Sequence, residues 1–253
     1  MEGPSLQLAS EQLRPFIKKR VLATRGNTTI TKERFDGQVV NSIFSWGKHL
    51  VLQFDDFALR VHFLLFGTFE AEVDGVLVTG DYRRTRVPRL HLTFPNGSIS
   101  LFNCSVRIIE GRNVKKTYDF TLDVMSRSWD PARALKAMKE RPDEEIADVL
   151  LDQEIFAGVG NIIKNEILSQ ARVQPVARVK DLGTRKLKEV VTRARSFSQQ
   201  FLRWRRRFVL RKNLKVHGRG TCPYCGAKLV RAKTGRRQRW SYYCSHCQTR
   251  QAR

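Results

Sequence analysis

The chain has 253 residues, enough for one large domain or for two or three small ones. A hydrophobic fraction of 41% and an aromatic fraction of 9% exclude a disordered polymer and predict a packed core. The formal net charge of +23 is concentrated, since residues 178–253 hold 23 of the 47 basic residues and two of the 24 acidic ones. Such a basic segment predicts a polyanionic partner, nucleic acid first and an anionic membrane surface second.

The apolar runs of the sequence are far shorter than the segment of about 20 residues that spans a bilayer. The start of the chain is polar and acidic, unlike a secretory signal peptide. We therefore expect a protein of the cytoplasm that is not inserted in a membrane.

The first hundred residues combine one helix with several strands. Leu6, Leu13 and Ile17 lie on one face of a helix, and Pro4 suits the first turn of that helix. Short apolar segments follow, and Pro95-Asn96-Gly97 separates two of them as the turn of a hairpin does. Short strands at this spacing predict a β-sandwich or a barrel.

Helical periodicity replaces the strand pattern after Asp130-Pro131, and a last helix is predicted over residues 182–201. The chain then becomes strongly basic. We therefore expect four segments: a β-rich domain at 1–114, a linker at 115–128, a helical domain at 129–215 and a metal-binding hairpin at 216–253.

The metal-binding motif consists of two Cys-x-x-Cys pairs that are separated by 18 residues. Its four cysteines are Cys222, Cys225, Cys244 and Cys247. Pairs at this spacing predict one tetrahedral Zn²⁺ site, with an iron site, a redox dithiol or a purely structural clip as alternatives. The fifth cysteine, Cys104, is then expected to be a buried thiol in a reducing compartment.

The loop at residues 231–239, between the two pairs, carries five cations, which predicts contact with nucleic acid. They are Arg231, Lys233, Arg236, Arg237 and Arg239.

Three separated motifs occur in the order typical of the formamidopyrimidine-DNA glycosylase/endonuclease VIII family, which the chain resembles over nearly its whole length. They are Glu2-Gly3-Pro4, Leu150-Leu151-Asp152-Gln153 with Gly158-Val159-Gly160-Asn161, and the four-cysteine hairpin. The resemblance implies an α+β multi-domain fold. Its parts are an N-terminal β-sandwich with a flanking helix, a helix-two-turns-helix domain and a C-terminal zinc-finger β-hairpin, with DNA bound between the two halves.

The resemblance further implies a base-excision repair enzyme that flips out a damaged base, excises it and cleaves the abasic strand through a Schiff base. In the family an N-terminal proline supplies the attacking amine. Here Met1 directly precedes Glu2, so the Met1 amine is expected to be the nucleophile of a weakened lyase. The alternative is that Met1 only starts the chain. Glu2 is then expected to be the general acid, or else an acid that favours a helix N-terminus.

Other residues take their expected roles from the same resemblance. Lys48 matches a lysine near the phosphate of the lesion, although a single lysine in a turn is often only solvated. Arg239 matches an arginine that grips phosphates, with Arg236 and Arg237 as the next candidates. Asn161 matches a phosphate contact at a helix start, and its alternative is an ordinary helix cap.

Leu64, Leu65 and Phe66 match the apolar loop that fills the space left by the flipped base. The alternative is that they extend the core of a strand. The absence of methionine from this loop favours the endonuclease VIII side of the family, and hence oxidised pyrimidines.

Two other functions fit the sequence. The chain could be a non-catalytic reader of damaged or abasic DNA, because the proline is missing, or an unrelated zinc-ribbon protein that binds RNA or DNA. The leading interpretation has double-stranded DNA with a damaged base or abasic site as its partner. The protein is expected to be a monomer associated with the nucleoid.

Overall fold

The computed structural model describes residues 1–79 and 87–251. The chain forms two compact units. The N-terminal unit comprises Met1 and Ser5–Asp119, and the C-terminal unit comprises Glu2–Pro4 and Phe120–Arg253. The first few residues are therefore divided between the two units.

In its described residues, 1–79 and 87–119, the N-terminal unit contains an α-helix and seven antiparallel strands. The helix α1 spans Gly3–Gln12. Leu6 and Ala9 of α1, and Leu13 directly after it, are fully buried, as the periodicity predicts. The strands are β1 (Ala23–Arg25), β2 (Ser42–Trp46), β3 (His49–Gln53), β4 (Phe57–Val73), β5 (Val76–Thr79), β6 (Leu90–Phe94) and β7 (Gly97–Glu110). Their order in the sheet is β1-β6-β7-β4-β3-β2, with β5 also paired to β4.

The two long strands, β4 and β7, give the sheet two halves. They pair with each other along their length, with a shift of register between Phe63 and Thr68. Before this bulge β4 also pairs with β3, and after it β4 pairs with β5. Leu50 and Leu59 of one half share a buried cluster with Phe69 and Ile99 of the other. The halves therefore enclose one core, as the layers of a sandwich do.

The turn between β6 and β7 forms where the sequence predicts it. Phe94 pairs with Gly97, which leaves Pro95 and Asn96 as a two-residue connection. Gly97 has a φ of +139°, a conformation that residues with a Cβ rarely adopt.

The C-terminal unit is mainly helical. Its elements are α2 (Pro131–Lys139), α3 (Ile146–Leu151), α4 (Asn161–Gln170), α5 (Thr184–Arg206), α6 (Leu210–Asn213), β8 (Val230–Thr234) and β9 (Arg239–Tyr243). Asp130 caps α2 by accepting two backbone N–H groups, and Pro131 occupies its first turn. The helix α5 is longer than the predicted 182–201 because Trp204 still packs against the core of the unit.

The helix α4 is the centre of the C-terminal unit. It packs against α3, α5 and the strand β9. Every residue from Ile163 to Ser169 is buried. None of the helices in the described ranges is long and apolar enough to cross a membrane.

Candidate functional site

The side chain of Glu2 lies at the N-terminus of α4. Its carboxylate accepts the backbone N–H of Ile162 at 2.7 Å and that of Ile163 at 3.2 Å. The N–H of Gly3 donates to the carbonyl of Gly158 at 2.9 Å. N–H groups in the first turn of a helix have no partner within the helix and carry partial positive charge, so they stabilise a carboxylate. Glu2, which directly precedes α1, is thus an acid at the N-terminus of α4.

Three glycines permit this close approach. A Cβ on Gly160 would overlap the Glu2 side chain, and a Cβ on Gly3 would overlap the backbone of Gly158. Gly158 itself has a φ of +97°. The Gly-Val-Gly part of the motif therefore leaves space for Glu2.

Asn161 is the first residue of α4, but it does not cap this helix. The cap position is Gly160, and the Asn161 side chain donates to the backbone carbonyl of Trp240 at 2.9 Å. The alternative of an ordinary helix cap is therefore wrong, because the side chain turns to the strand β9 instead. One N–H of the Asn161 amide is engaged in this bond. The predicted contact between Asn161 and a DNA phosphate stays a prediction.

The turn of the β8–β9 hairpin, Gly235–Gln238, is held by carboxylates from α3 and the residues before it. The N–H of Gly235 donates to Glu145 at 2.9 Å, and the N–H of Arg236 donates to Asp148 at 2.6 Å. The Arg236 guanidinium forms an ion pair with Glu144 at 2.6 Å. Asp148 is thus a partner of the hairpin as well as of its helix.

Arg239 follows this turn as the first residue of β9 and is exposed. Arg236 is already paired with an acid, whereas the ion pairs found among residues 1–79 and 87–251 do not include Arg239. This difference favours Arg239 over Arg236 as a phosphate-binding side chain. The predicted contact of Arg239 with DNA phosphates stays a prediction.

Lys164 is the residue of this region that sequence reasoning missed. It lies on α4 with no exposed area, and its Nζ donates to the hydroxyl of Ser241 on β9 at 2.7 Å. Burial, followed by the charge of Arg239, lowers the pKa of Lys164 to about 8. The sequence does hold one indication of this residue: a single lysine stands between Ile163 and Ile167, in a helix whose apolar residues predict that it is buried.

Lys48 lies in the turn between β2 and β3, in the N-terminal unit. Gly47 before it has a φ of +55°, which the tight turn requires. The pKa of His62 is lowered mainly by burial, and further by the positive charges of the chain's α-amino group and of Lys48. The Met1 amine and Lys48 thus each lie close enough to His62 to affect it electrostatically, and the Met1 side chain packs against the core.

A polar cavity of about 270 Å³ opens at His62. It is lined by His49, Arg60, His62, Ser105 and Arg107. Burial lowers the pKa of His49 to about 4, so both histidines are neutral at physiological pH. This surface is therefore cationic through its arginines.

Leu64, Leu65 and Phe66 lie at the bulge of β4 with 47%, 67% and 58% of their surface exposed. The alternative that they extend the core of the strand is wrong, because the bulge turns all three side chains to solvent. Their predicted role as a wedge in DNA stays a prediction.

The four cysteines of the hairpin converge on one point. Their Sγ atoms all lie within 4.8 Å of one another, and the pairs Cys222–Cys247 and Cys225–Cys244 are 3.9 and 3.6 Å apart. Four thiolates around Zn²⁺ at a bond length of about 2.3 Å would lie about 3.8 Å apart. All four cysteines are free of disulfides, so the residues form a four-thiolate metal site. Cys104 is buried, and burial raises the pKa of its thiol to about 12.

Comparison with known proteins supports these observations. A model of the formamidopyrimidine-DNA glycosylase H2TH domain matches residues 122–205. Endonuclease 8-like 3 of Mus musculus is 31% identical over 221 residues, which cover 85% of this chain and 35% of the mouse protein. Endonuclease 8 2 of Mycobacterium tuberculosis is 29% identical over 226 residues, which cover 84% of each chain. The chain thus spans about a third of the mouse relative.

Among solved structures, the fold is similar to formamidopyrimidine-DNA glycosylase of Lactococcus lactis bound to DNA with an abasic site. The TM-score is 0.84 at 19% identity, over 98% of this chain and 100% of the other. The predicted α+β multi-domain fold is therefore confirmed, with its β-sandwich, its helix-two-turns-helix domain and its four-cysteine hairpin.

Proposed function

We propose that this chain is a member of the formamidopyrimidine-DNA glycosylase/endonuclease VIII family, and that it excises oxidised bases from DNA and cleaves the abasic strand. The matches to the H2TH domain and to endonuclease 8-like proteins, together with the shared fold, support this proposal. The observation that carries the proposal is the placement of Glu2. A carboxylate that directly follows an α-amine is fixed by two backbone N–H groups of α4. An acid and an amine held next to each other are what base excision followed by imine formation requires.

The proposed reaction begins with the neutral Met1 amine, which attacks C1′ of the flipped nucleotide while the bond to the damaged base breaks. The proton that the amine then loses neutralises the departing base. Glu2 delivers a proton to the sugar ring oxygen, and the ring opens to a Schiff base between Met1 and C1′. The imine then accepts the electron pair that loss of a proton from C2′ releases. The bond from C3′ to the phosphate oxygen breaks, and hydrolysis of the imine frees the enzyme.

A primary amine makes this lyase weaker than one whose nucleophile is an N-terminal proline. An ordinary α-amino group has a pKa of about 7.7–8.0, so a useful fraction is neutral at physiological pH. Its imine must be protonated to act as an electron sink, whereas the iminium of a secondary amine always carries a charge. The lyase step is therefore slower but retained.

DNA with a damaged base or an abasic site is the proposed partner, bound by one copy of the chain. The cationic composition of residues 178–253 and the exposed Arg239 support this partner. Lys48 and Arg239 bind phosphates, Asn161 adds a further phosphate contact, and Leu64, Leu65 and Phe66 replace the stacking of the flipped base.

Zn²⁺ is the proposed ion of the four-thiolate site. Cys₄ sites of this kind hold structural zinc, and the distances between the sulfurs suit its bond length. The ion closes the hairpin and does not take part in the reaction. Metal analysis of the purified protein should find one zinc per chain, which Cys244→Ser removes.

Base release and strand cleavage test the proposed activity on duplexes that contain an oxidised pyrimidine, an oxidised purine or an abasic site. We expect base release from the oxidised pyrimidine and a loss of about 10²- to 10⁴-fold in Glu2→Gln. The matched control, Glu140→Gln, changes an exposed acid at the end of α2 and should retain activity. Binding of the abasic duplex without base release from any lesion would contradict the proposal and favour a damage reader.

A further inference from the structure

The β8–β9 hairpin presents two different faces. Opposite residues of an antiparallel pair share a face, and Thr234 pairs with Arg239 while Lys233 pairs with Trp240. On the first face, Thr234 and Ser241 are buried, and Ser241 accepts from Lys164. The second face carries Arg231, Lys233, Trp240 and Tyr242, and we call it the Trp240 face.

The Trp240 face combines an exposed aromatic ring with two cations. Trp240 is 41% exposed, which is high for so large an apolar side chain. The Arg231 guanidinium lies over the Trp240 ring at 4.2 Å from its centroid, and the Nζ of Lys233 lies at 5.6 Å. Both cations are exposed.

Within residues 1–79 and 87–251, no ion pair joins Arg231 or Lys233 to an acid. The two cations lie on the same side of one strand and repel each other, in a segment that is already strongly basic. An anionic ligand on the Trp240 face would remove the repulsion.

We propose that the Trp240 face binds an unpaired base of a DNA strand by stacking it on Trp240. The base takes the place of the Arg231 guanidinium over the ring, and Arg231 and Lys233 then bind the phosphates beside that base. The charge of the face fits a nucleic-acid backbone, and the ring fits the flat face of a base. A paired base in a duplex has both faces covered by its neighbours, so the base must be unstacked. The proposal rests on DNA as the partner of the chain.

The backbone of Trp240 is held in place independently of its ring. Its carbonyl accepts from Asn161 at 2.9 Å and from Asn165 at 3.3 Å. A ring whose backbone is fixed before binding loses less conformational entropy on stacking. The same bonds survive when the side chain is replaced, which makes Trp240 suitable for substitution.

The proposal is tested by measuring the affinity of the protein for a fluorescent single-stranded oligothymidine. The affinity for an abasic-analogue duplex is measured in the same buffer for comparison. Trp240→Ala should weaken binding of the single strand by about 5- to 150-fold, the range expected for one stacked base. Trp240→Phe should retain most of the affinity. Phe208→Ala is the matched control, because Phe208 is also beside arginines and 86% exposed but lies outside the hairpin. Unchanged affinity of Trp240→Ala, or an equal loss in Phe208→Ala, would overturn the proposal.

Intrinsic fluorescence provides a second readout that does not depend on the stability of the alanine variant. Oligothymidine should quench part of the tryptophan emission of the wild type, and Trp240→Phe should lose that part while the other three tryptophans still emit. If oligothymidine quenches the emission of Trp240→Phe as much as that of the wild type, the proposal is contradicted. Failure of the glycosylase proposal is recognised separately, as absent base release in the wild type, and would leave the oligothymidine result standing.

Discussion

The glycine at position 160 decides whether Glu2 can reach α4. The Glu2 carboxylate occupies the space where a Cβ on residue 160 would lie, and it accepts the backbone N–H groups of Ile162 and Ile163. A side chain of any size at this position therefore displaces Glu2. Displacement of a reacting group by about 1 Å costs on the order of a hundredfold in rate.

Gly160→Ala should consequently lower kcat/KM for base excision by about a hundredfold, with little change in zinc content. Steady-state kinetics on an oxidised-pyrimidine duplex measure this effect. Gly220→Ala is the control, since a Cβ at Gly220 has open space around it. Equal activity of Gly160→Ala and Gly220→Ala would show that the position of Glu2 does not matter for catalysis.

Lys164 is a second residue whose burial has a measurable consequence. Burial and the nearby charge of Arg239 lower the pKa of Lys164. The carboxylates of Asp148, Glu2 and Glu145 raise it. Its own charge in turn lowers the pKa of His217, after the larger effect of burial. Burial outweighs the acids, so the folded-state pKa of Lys164 is about 8, below the value of about 10.4 in an unfolded chain.

Between these two pKa values the unfolded chain binds more protons than the folded one, so this group makes the protein more stable as pH rises from about 8 to about 10.4. Below pH 8 the full cost of the buried charge is present. Lys164→Met removes that cost and should stabilise the protein by about 2 kcal/mol at pH 7, after loss of the bond to Ser241. The gain should shrink towards pH 10.

Denaturant unfolding at a series of pH values measures the difference between Lys164→Met and the wild type. Lys188→Met, which changes an exposed lysine of α5, should show no such trend. A difference between Lys164→Met and the wild type that is constant from pH 7 to pH 10 would contradict a depressed pKa for Lys164.

At the scale of elements, the β8–β9 hairpin is fixed at both ends. The four cysteines hold its base, and Glu145 and Asp148 hold its turn through backbone N–H groups. Gly235 is required here, because it has a φ of +70° and a Cβ on it would overlap the Asp148 carboxylate. Arg239 begins the strand directly after this turn, so its position depends on Asp148 as well as on the metal.

Asp148→Ala should therefore loosen the turn while the metal stays bound. We expect faster amide exchange at residues 235–237 and a decrease of about tenfold in kcat/KM, because Arg239 is no longer held in one place. Hydrogen exchange and kinetics on the same preparation measure both effects. The control is Asp143→Ala, which removes an exposed acid paired with Lys180. Unchanged exchange at the turn would mean that the metal alone orders the hairpin.

At the same scale, local patterns were predictable and long-range contacts were not. The buried face of α1, the Pro95-Asn96 turn and the four-cysteine site follow from spacing and turn chemistry within short segments. The roles of Lys164 and Asp148 depend on Ser241 and Arg236, which lie more than 75 residues away in the sequence. The sequence around Asn161 allows a helix cap at this position, although the hydrogen-bond partner of its side chain is the carbonyl of the distant Trp240.

At the scale of the whole molecule, the ordered motifs predicted the fold because each has a structural requirement. Gly160 must leave space for Glu2, and the two cysteine pairs must meet at one ion. The segment boundaries at 114, 128 and 215 stay predictions. The roles of Met1, Lys48 and Arg239 also stay predictions, since they concern contacts with DNA.

The central claim is that the Met1 amine forms a covalent imine with abasic DNA. Intact mass first establishes that Met1 carries the free α-amine, and borohydride then reduces any imine on an abasic oligonucleotide. We predict a stable protein–DNA adduct that peptide mapping places on Met1, and that persists in Lys48→Ala. No adduct, or an adduct on Lys48, would contradict the account.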